Sequence, residues 1–258
     1  MSSDTPAVSM KDIEKRYGEI VALDGVDLTL RKGEILALVG DNGAGKSTLI
    51  NCLAGVHSPT SGRIEVDGRK VTIDSPRESK QLGIETTFQD LALASNLTVA
   101  QNIFLGREEM KGPDLLFGLL DKQSMNERTR ELLEDLNIDV EPDALVGDLS
   151  GGQRQLVAIS RMLLTDPQVV VMDEPTSALS VEGADRVLDL IERLRDQGIS
   201  VLLISHNLEN VIQIADRVQV LYQGLDAGTV DGATTTRDEI VGRMVSGHPD
   251  RKDARQPA

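Results

Sequence analysis

EILALVGDNGAGKSTLINCLAG, residues 34–55, decides the fold of this chain. EILALVG (34–40) is a short apolar run that ends on a glycine. It reads as a buried parallel strand feeding a loop. KSTLINCLAG (46–55) then reads as a helix with an apolar face. Between them, GDNGAGKST (40–48) satisfies G-x-x-x-x-G-K-[ST] with Gly40, Gly45, Lys46 and Ser47. The chemistry needs that spacing. Glycines let the backbone N–H groups of Gly40, Asp41, Asn42, Gly43, Ala44 and Gly45 turn inward around phosphate oxygens. Lys46 reaches the terminal phosphates, and Ser47 offers its hydroxyl to Mg²⁺. The helix start, through Thr48, adds its partial positive charge. A plain glycine-rich turn is the bland alternative, but a strand before and a helix after are the context a phosphate site demands.

Outward from this stretch, residues 8 to 33 alternate apolar and polar, which predicts antiparallel strands joined by tight turns. RIEVDGRKV (63–71) carries Asp67-Gly68 between alternating residues, a hairpin signal. Residues 91–148 have another texture. SMNERTRELLEDLNI places Met125, Leu132, Leu133 and Leu136 near helical spacing, so an inserted helical lobe is expected. KGPDLLFGLLD (111–121) is punctuated by glycine and proline and predicts no definite element. After residue 150 the pattern returns to α/β: QVVVMDEP as a buried strand, VEGADRVLDLIERLRDQG as a helix, ISVLLISHN as another buried strand. Such alternation implies a largely parallel sheet with helices on its faces. The polar tail after Gly247 is expected to be disordered.

Composition narrows the function. The formal charge is −15, from 42 acidic and 27 basic residues, which repels phosphate backbones and argues against nucleic acid as a partner. A single cysteine, Cys52, excludes an internal disulfide, fits a reducing compartment and reads as a small core residue. The first residues lack a signal-peptide pattern, and no apolar run reaches the length of a spanning helix. Any membrane role is therefore expected to run through a partner.

Two further stretches carry chemistry. VVVMDEP places Asp173 and Glu174 at the end of a buried strand. In a nucleotide site one carboxylate holds the Mg²⁺ shell, directly or through water, and a neighbour can polarise the attacking water. Taken alone, DEP is better read as a solvated turn; beside a phosphate loop the functional reading prevails. LSGGQRQ (149–155) sets Ser150 and Gln153 at capping-box spacing before an apolar helix face of Leu156, Ile159 and Leu163. Gly151 and Gly152 in its first turn each cost about 1 kcal/mol relative to Ala. A cap alone does not need them, whereas close approach of backbone amides to an anion does. The chain already has its own phosphate loop, so this second turn suits a nucleotide held by another copy.

The combination resembles the ATP-binding cassette (ABC) ATPases over about residues 8–245: GDNGAGKST as the Walker A loop, LSGGQ as the family signature and VVVMDEP as the Walker B strand. The resemblance implies a P-loop α/β cassette with a mainly parallel core sheet, an antiparallel β subdomain and an inserted helical subdomain. The α/β lobe would take about 8–88 and 165–245, the helical lobe about 89–164, and the tail 246–258. It also implies a head-to-tail dimer in which ATP is sandwiched between the phosphate loop of one cassette and Ser150, Gly151, Gly152 and Gln153 of the other. Gln89, in TTFQD, matches the glutamine loop that links Mg²⁺ and the attacking water to the helical lobe. Ser47, Gln89 and Asp173 are then the metal residues, and Glu174 the general base. His206, in LLISHN, matches the switch histidine at the γ-phosphate, and Tyr17, in KRYG, the aromatic that stacks on adenine. SALS (177–180) matches the loop after Walker B, with Ser180 where many members have Asp.

FQDLALASNLTVAQNIFLGRE, VALDGVDLTLRKGEILALVGDNGAGKSTL and EIVGRMVSG are similar to the monosaccharide-importer branch. That implies ATP with Mg²⁺, a homodimer on the cytoplasmic face of the membrane, an integral permease docked near Gln89–Gly106, and indirectly an extracytoplasmic sugar-binding protein. An amino-acid importer or exporter cassette is the nearest alternative. A soluble ABC protein acting on nucleic acid or the ribosome is opposed by the acidity, and a small-molecule kinase by LSGGQ, Gln89 and His206.

Overall fold

The computed structural model describes residues 5–87, 91–111, 119–177 and 179–247. In chain order the elements are β1 (Val8–Tyr17), β2 (Ile20–Leu30), β3 (Ile35–Val39), α1 (Lys46–Leu53), β4 (Ser61–Val66), β5 (Arg69–Val71), α2 (Pro76–Gln81) and β6 (Ile84–Thr87). Then come α3 (Val99–Ile103), β7 (Met110–Lys111), β8 (Leu119–Leu120), α4 (Lys122–Asp135), a 3₁₀ turn (Val146–Asp148) and α5 (Gly151–Leu163). The chain closes with β9 (Val169–Asp173), α6 (Val181–Asp196), β10 (Ser200–Ile204), α7 (Leu208–Ile214), β11 (Arg217–Tyr222), β12 (Leu225–Asp231) and α8 (Arg237–Ser246). The described residues form two compact units. One takes Met1–Thr86, Pro167–Glu174 and Leu194–Ala258, the other Thr87–Asp166 and Pro175–Arg193.

The first unit holds two sheets. A six-stranded sheet runs β12-β11-β3-β10-β9-β6. β11, β3, β10 and β9 are parallel, and β12 closes the edge antiparallel to β11. β3 and β10 are buried at every position, which is why their sequences read as unbroken apolar runs. A four-stranded antiparallel sheet, β2-β1-β4-β5, lies within the same unit. Its Asp67-Gly68 turn has φ of 50° and 72°, the left-handed pair that a two-residue hairpin needs. One core joins both sheets: Met10, Ile13, Leu23 and Leu28 meet Leu36 and Leu38 of β3, Leu49 and Leu53 of α1, and Leu202 of β10. Cys52 belongs to this core, and burial pushes its thiol up to about 11. The fold is the expected cassette architecture, a mainly parallel sheet with an antiparallel sheet and an inserted helical segment.

In the second unit α3 packs against α4 and α5. Met125, Thr129 and Leu133 form the buried stripe of α4, and Leu136 is buried just beyond it. Leu132 lies off that stripe and stays partly exposed. The segment read as undetermined is flanked by the β7–β8 pair; its residues 112–118, like the tail after Gly247, lie outside the described residues.

Candidate functional site

The phosphate loop is shaped by what surrounds it. Gly45 has φ 103°, and a Cβ there would lie 2.7 Å from Leu23 Cδ2 and 2.9 Å from Ala22 O. A Cβ on Gly40 (φ 153°) would lie 2.4 Å from Leu221 O. Close packing thus demands both glycines. A third wall is the Gln223-Gly224 turn between β11 and β12: Gly224 N–H donates to Ala44 O (3.0 Å), and Gly224 O accepts from Asp24 N–H (2.9 Å). Nothing in the loop motif signalled this brace, although a glycine between two alternating runs is a hairpin signal in its own right.

No side chain caps α1, and among the described residues nothing accepts from the amides of Lys46, Ser47 and Thr48. Uncapped amides at a helix start form an anion site. Asp41, Asn42, Gly43 and Ser47 are exposed around it. Lys46 Nζ folds over the loop, donating to Gly40 O (2.6 Å) and Asp41 O (3.1 Å). Burial lowers the Lys46 ammonium below the usual lysine range, against the opposing pull of Glu174, Asp173 and Asp41. Asp173, the last residue of β9, is raised above the usual carboxylate range by burial first and by Glu174 second, while Lys46 pulls it down.

Glu174 follows at φ 54°, a left-handed conformation that few glutamates adopt, and proline comes next. Its N–H donates to Ile204 O (2.9 Å), which ties the strained residue to the end of β10. His206, two residues past that strand, places Nδ1 2.7 Å from Glu174 Oε2, with 71% of its side chain exposed. The structure therefore brings Lys46, Asp173, Glu174 and His206 to one end of the parallel strands, where α/β sheets bind ligands. These residues fit a magnesium nucleotide. The uncapped amides and the glycine cradle suit phosphate oxygens, and the exposed Ser47 hydroxyl and the Asp173 carboxylate are hard oxygen ligands. Tyr17 ends β1, 43% exposed, with Lys15 Nζ 5.2 Å from its ring centre. The ring of His57 stands edge-on to it at 5.7 Å, a neighbour that sequence reading had not singled out.

In the second unit Ser150 and Gln153 form the capping box: Ser150 Oγ accepts from Gln153 N–H (3.2 Å), and Gln153 Oε1 accepts from Ser150 N–H (3.0 Å). Ser150, Gly151, Gly152, Leu179, Ser180 and Arg186 line a cleft of about 350 Å³. Gly152 has a second reason to be glycine, since a Cβ there would lie 3.2 Å from Gly183 Cα in α6. Gly183 was not legible as a partner, because α5 and α6 meet only in the fold. Ser180 Oγ accepts from Gly183 N–H (3.2 Å), so it caps α6 as an Asp at that position would. Gln89 lies outside the described residues.

Residues 23–177 match the ABC transporter family. The chain belongs to that family. The ribose import ATP-binding protein of Rubrobacter xylanophilus is 45% identical over 240 residues, 93% of this chain and 47% of the relative. The chain thus spans about half the length of the ribose-type relatives it matches. The xylose/arabinose import ATP-binding protein of Sulfolobus acidocaldarius is 45% identical over 219 residues, 84% of this chain and 85% of the relative. Among solved structures, a dimeric ATP-binding cassette in a post-hydrolysis state with ADP and phosphate bound is 26% identical at TM-score 0.72, covering 88% of this chain and all of its own. Among the described residues, no helix of this ABC protein is long and apolar enough to cross a membrane.

Proposed function

We propose that this chain is the ATP-hydrolysing subunit of an importer, with a monosaccharide as the solute. Its cassette, over residues 8–245, acts on the cytoplasmic face of a membrane permease fed by an extracytoplasmic sugar-binding protein. The observation that carries the reading is the meeting of Lys46, Asp173, Glu174 and His206 at an uncapped helix start. The names of the ribose and xylose/arabinose relatives support the solute class.

Bound ATP with Mg²⁺ supplies the phosphoryl bond whose cleavage drives transport. Lys46 and the first-turn amides of α1 would hold phosphate charge, Ser47 and Asp173 would hold the metal together with Gln89, and Tyr17 would stack on the base. Glu174 would take a proton from the attacking water, held at a left-handed backbone position just past the strand. His206, 2.7 Å from Glu174, would hold that carboxylate in place and serve the terminal phosphate. Ser150, Gly151, Gly152 and Gln153 serve the nucleotide held by the partner copy.

Glu174→Gln tests this. The variant is expected to keep ATP affinity, lose hydrolysis by about 10²–10⁴-fold and accumulate an ATP-dependent dimer on gel filtration. Normal turnover would remove Glu174 as the base, and a monomer with ATP bound would remove the head-to-tail site. Purification of the chain from detergent-solubilised membranes then decides the setting: a multi-span permease with a sugar-binding protein supports import, whereas only ribosomal or DNA-associated partners would end it.

A further inference from the structure

Asn102 is fully buried in the short helix α3, a polar side chain among Val99, Ala100 and Ile103. Both ends of its amide bond to one turn. Oδ1 accepts from Ala94 N–H (2.8 Å), and Nδ2 reaches Thr98 O (2.9 Å), Ala94 O (3.0 Å) and Leu97 O (3.3 Å). The turn it holds, 94–98, follows the glutamine loop. Arg161 Nη1 of α5 donates to Ala92 O (3.0 Å) just before it.

That turn is joined to a second segment. Gly147 N–H donates to Ser95 O (2.9 Å), Val146 N–H to Leu97 O (3.1 Å), Val99 N–H to Ala144 O (3.0 Å) and Ala100 N–H to Pro142 O (2.9 Å). Gly147 has no room for a side chain, since a Cβ would lie 2.9 Å from Ser95 O. Three residues beyond Gly147 the chain reaches Ser150 and the capping box of α5, and Arg154 Nη1 ties Leu149 O (2.7 Å) back to that helix. Val99, Ala100, Pro142 and Val146 of this joint are buried, whereas Ser95 and Gly147 are exposed. Segments tied by four backbone hydrogen bonds, some of them buried, shift together, because opening a buried one strands a polar group.

The geometry points to Asn102 as a positioning residue that makes the turn after Gln89 and the start of the signature helix one mechanical piece. A displacement of residues 92–98 is delivered through Ser95–Gly147 and Leu97–Val146 to Ser150 and Gly151. The inference rests on the head-to-tail reading of Ser150 and Gly151 given above.

The test uses the full chain in the Glu174→Gln background, where ATP-dependent dimerisation is the readout and ATP affinity of the monomer is the control. Asn102→Leu keeps the branched shape and removes every side-chain bond to the turn; Gly147→Ala attacks the same joint from the other side. Each is expected to weaken the ATP-dependent dimer about tenfold or more while monomer ATP affinity stays within about twofold. Gly151→Asp is the reference. If Gly151→Asp still dimerises normally, the head-to-tail reading fails and the inference with it. If Gly151→Asp loses the dimer while Asn102→Leu and Gly147→Ala dimerise normally, the role of Asn102 alone is overturned. Hydrogen exchange on the unaltered protein needs no variant: the amides of Ala94, Val146 and Gly147 are expected to open with one common free energy. Opening of Gly147 well before Ala94 would show two pieces, not one.

Discussion

Asp173 carries a negative charge in a half-buried place beside Glu174, and Lys46 is the cation that offsets it. Its carboxyl is raised in the folded chain, so the ionised form is disfavoured there relative to the unfolded chain. The penalty is absent below the unfolded value, grows as pH rises through the raised value and is complete above it. Asp173→Asn is therefore expected to raise the melting temperature of the nucleotide-free chain near neutral pH and to leave it unchanged near about pH 3. A scan at both pH values checks this, and equal shifts would show that the gain has nothing to do with charge. Lys46→Ala removes the charged donor from the phosphate loop. A charged hydrogen bond is worth about 1.5–3 kcal/mol, so ATP affinity is expected to fall roughly 10- to 100-fold by calorimetry. Unchanged affinity would contradict the phosphate-loop reading.

Helix glycines separate packing from propensity. Gly242 lies inside α8, where an added Cβ would meet nothing within 4 Å, so Gly242→Ala is expected to stabilise the chain by about 0.4–1 kcal/mol. Gly152→Ala has the same propensity gain but sets a methyl 3.2 Å from Gly183 Cα, and is expected to destabilise. Urea unfolding of the two variants side by side decides whether α5 and α6 need that contact. The same contrast explains what the chain disclosed before folding. β3, the Asp67-Gly68 hairpin and the Ser150–Gln153 capping box rest on neighbours within a few residues, and each was legible as written. Helical spacing put Leu132 on a helix correctly, but spacing alone does not say which neighbouring stripe is buried. Gly183 and the turn at Gln223-Gly224 escaped notice for one reason: their partners lie on other elements, and a local pattern names no tertiary partner. Asn102 escaped for another: its partners are close in sequence, but no spacing rule marks an asparagine that folds back on the turn before its own helix. Most of the proposed site was legible because a strand-to-helix loop carries its chemistry in contiguous residues. Its supports were not.

Across the whole molecule the charge of −15 opposes compaction. Raising salt from about 10 mM to about 150 mM shortens the Debye length from about 30 Å to 8 Å and is expected to raise the melting temperature. A flat response would mean that local pairs already neutralise the excess. The sheet order carries a different consequence, one for synthesis. β3 pairs with β10 on one side and β11 on the other. Both neighbours are encoded after residue 199, as are Leu221 and Gly224, which wall and brace the phosphate loop. A ribosome that has delivered Lys46 has therefore delivered a strand with two bare edges and a loop that still lacks Leu221 and Gly224. On the proposed reading, ATP finds no complete site on the nascent chain until the β11–β12 hairpin has left the exit tunnel, so nucleotide capture marks a chain translated past residue 231.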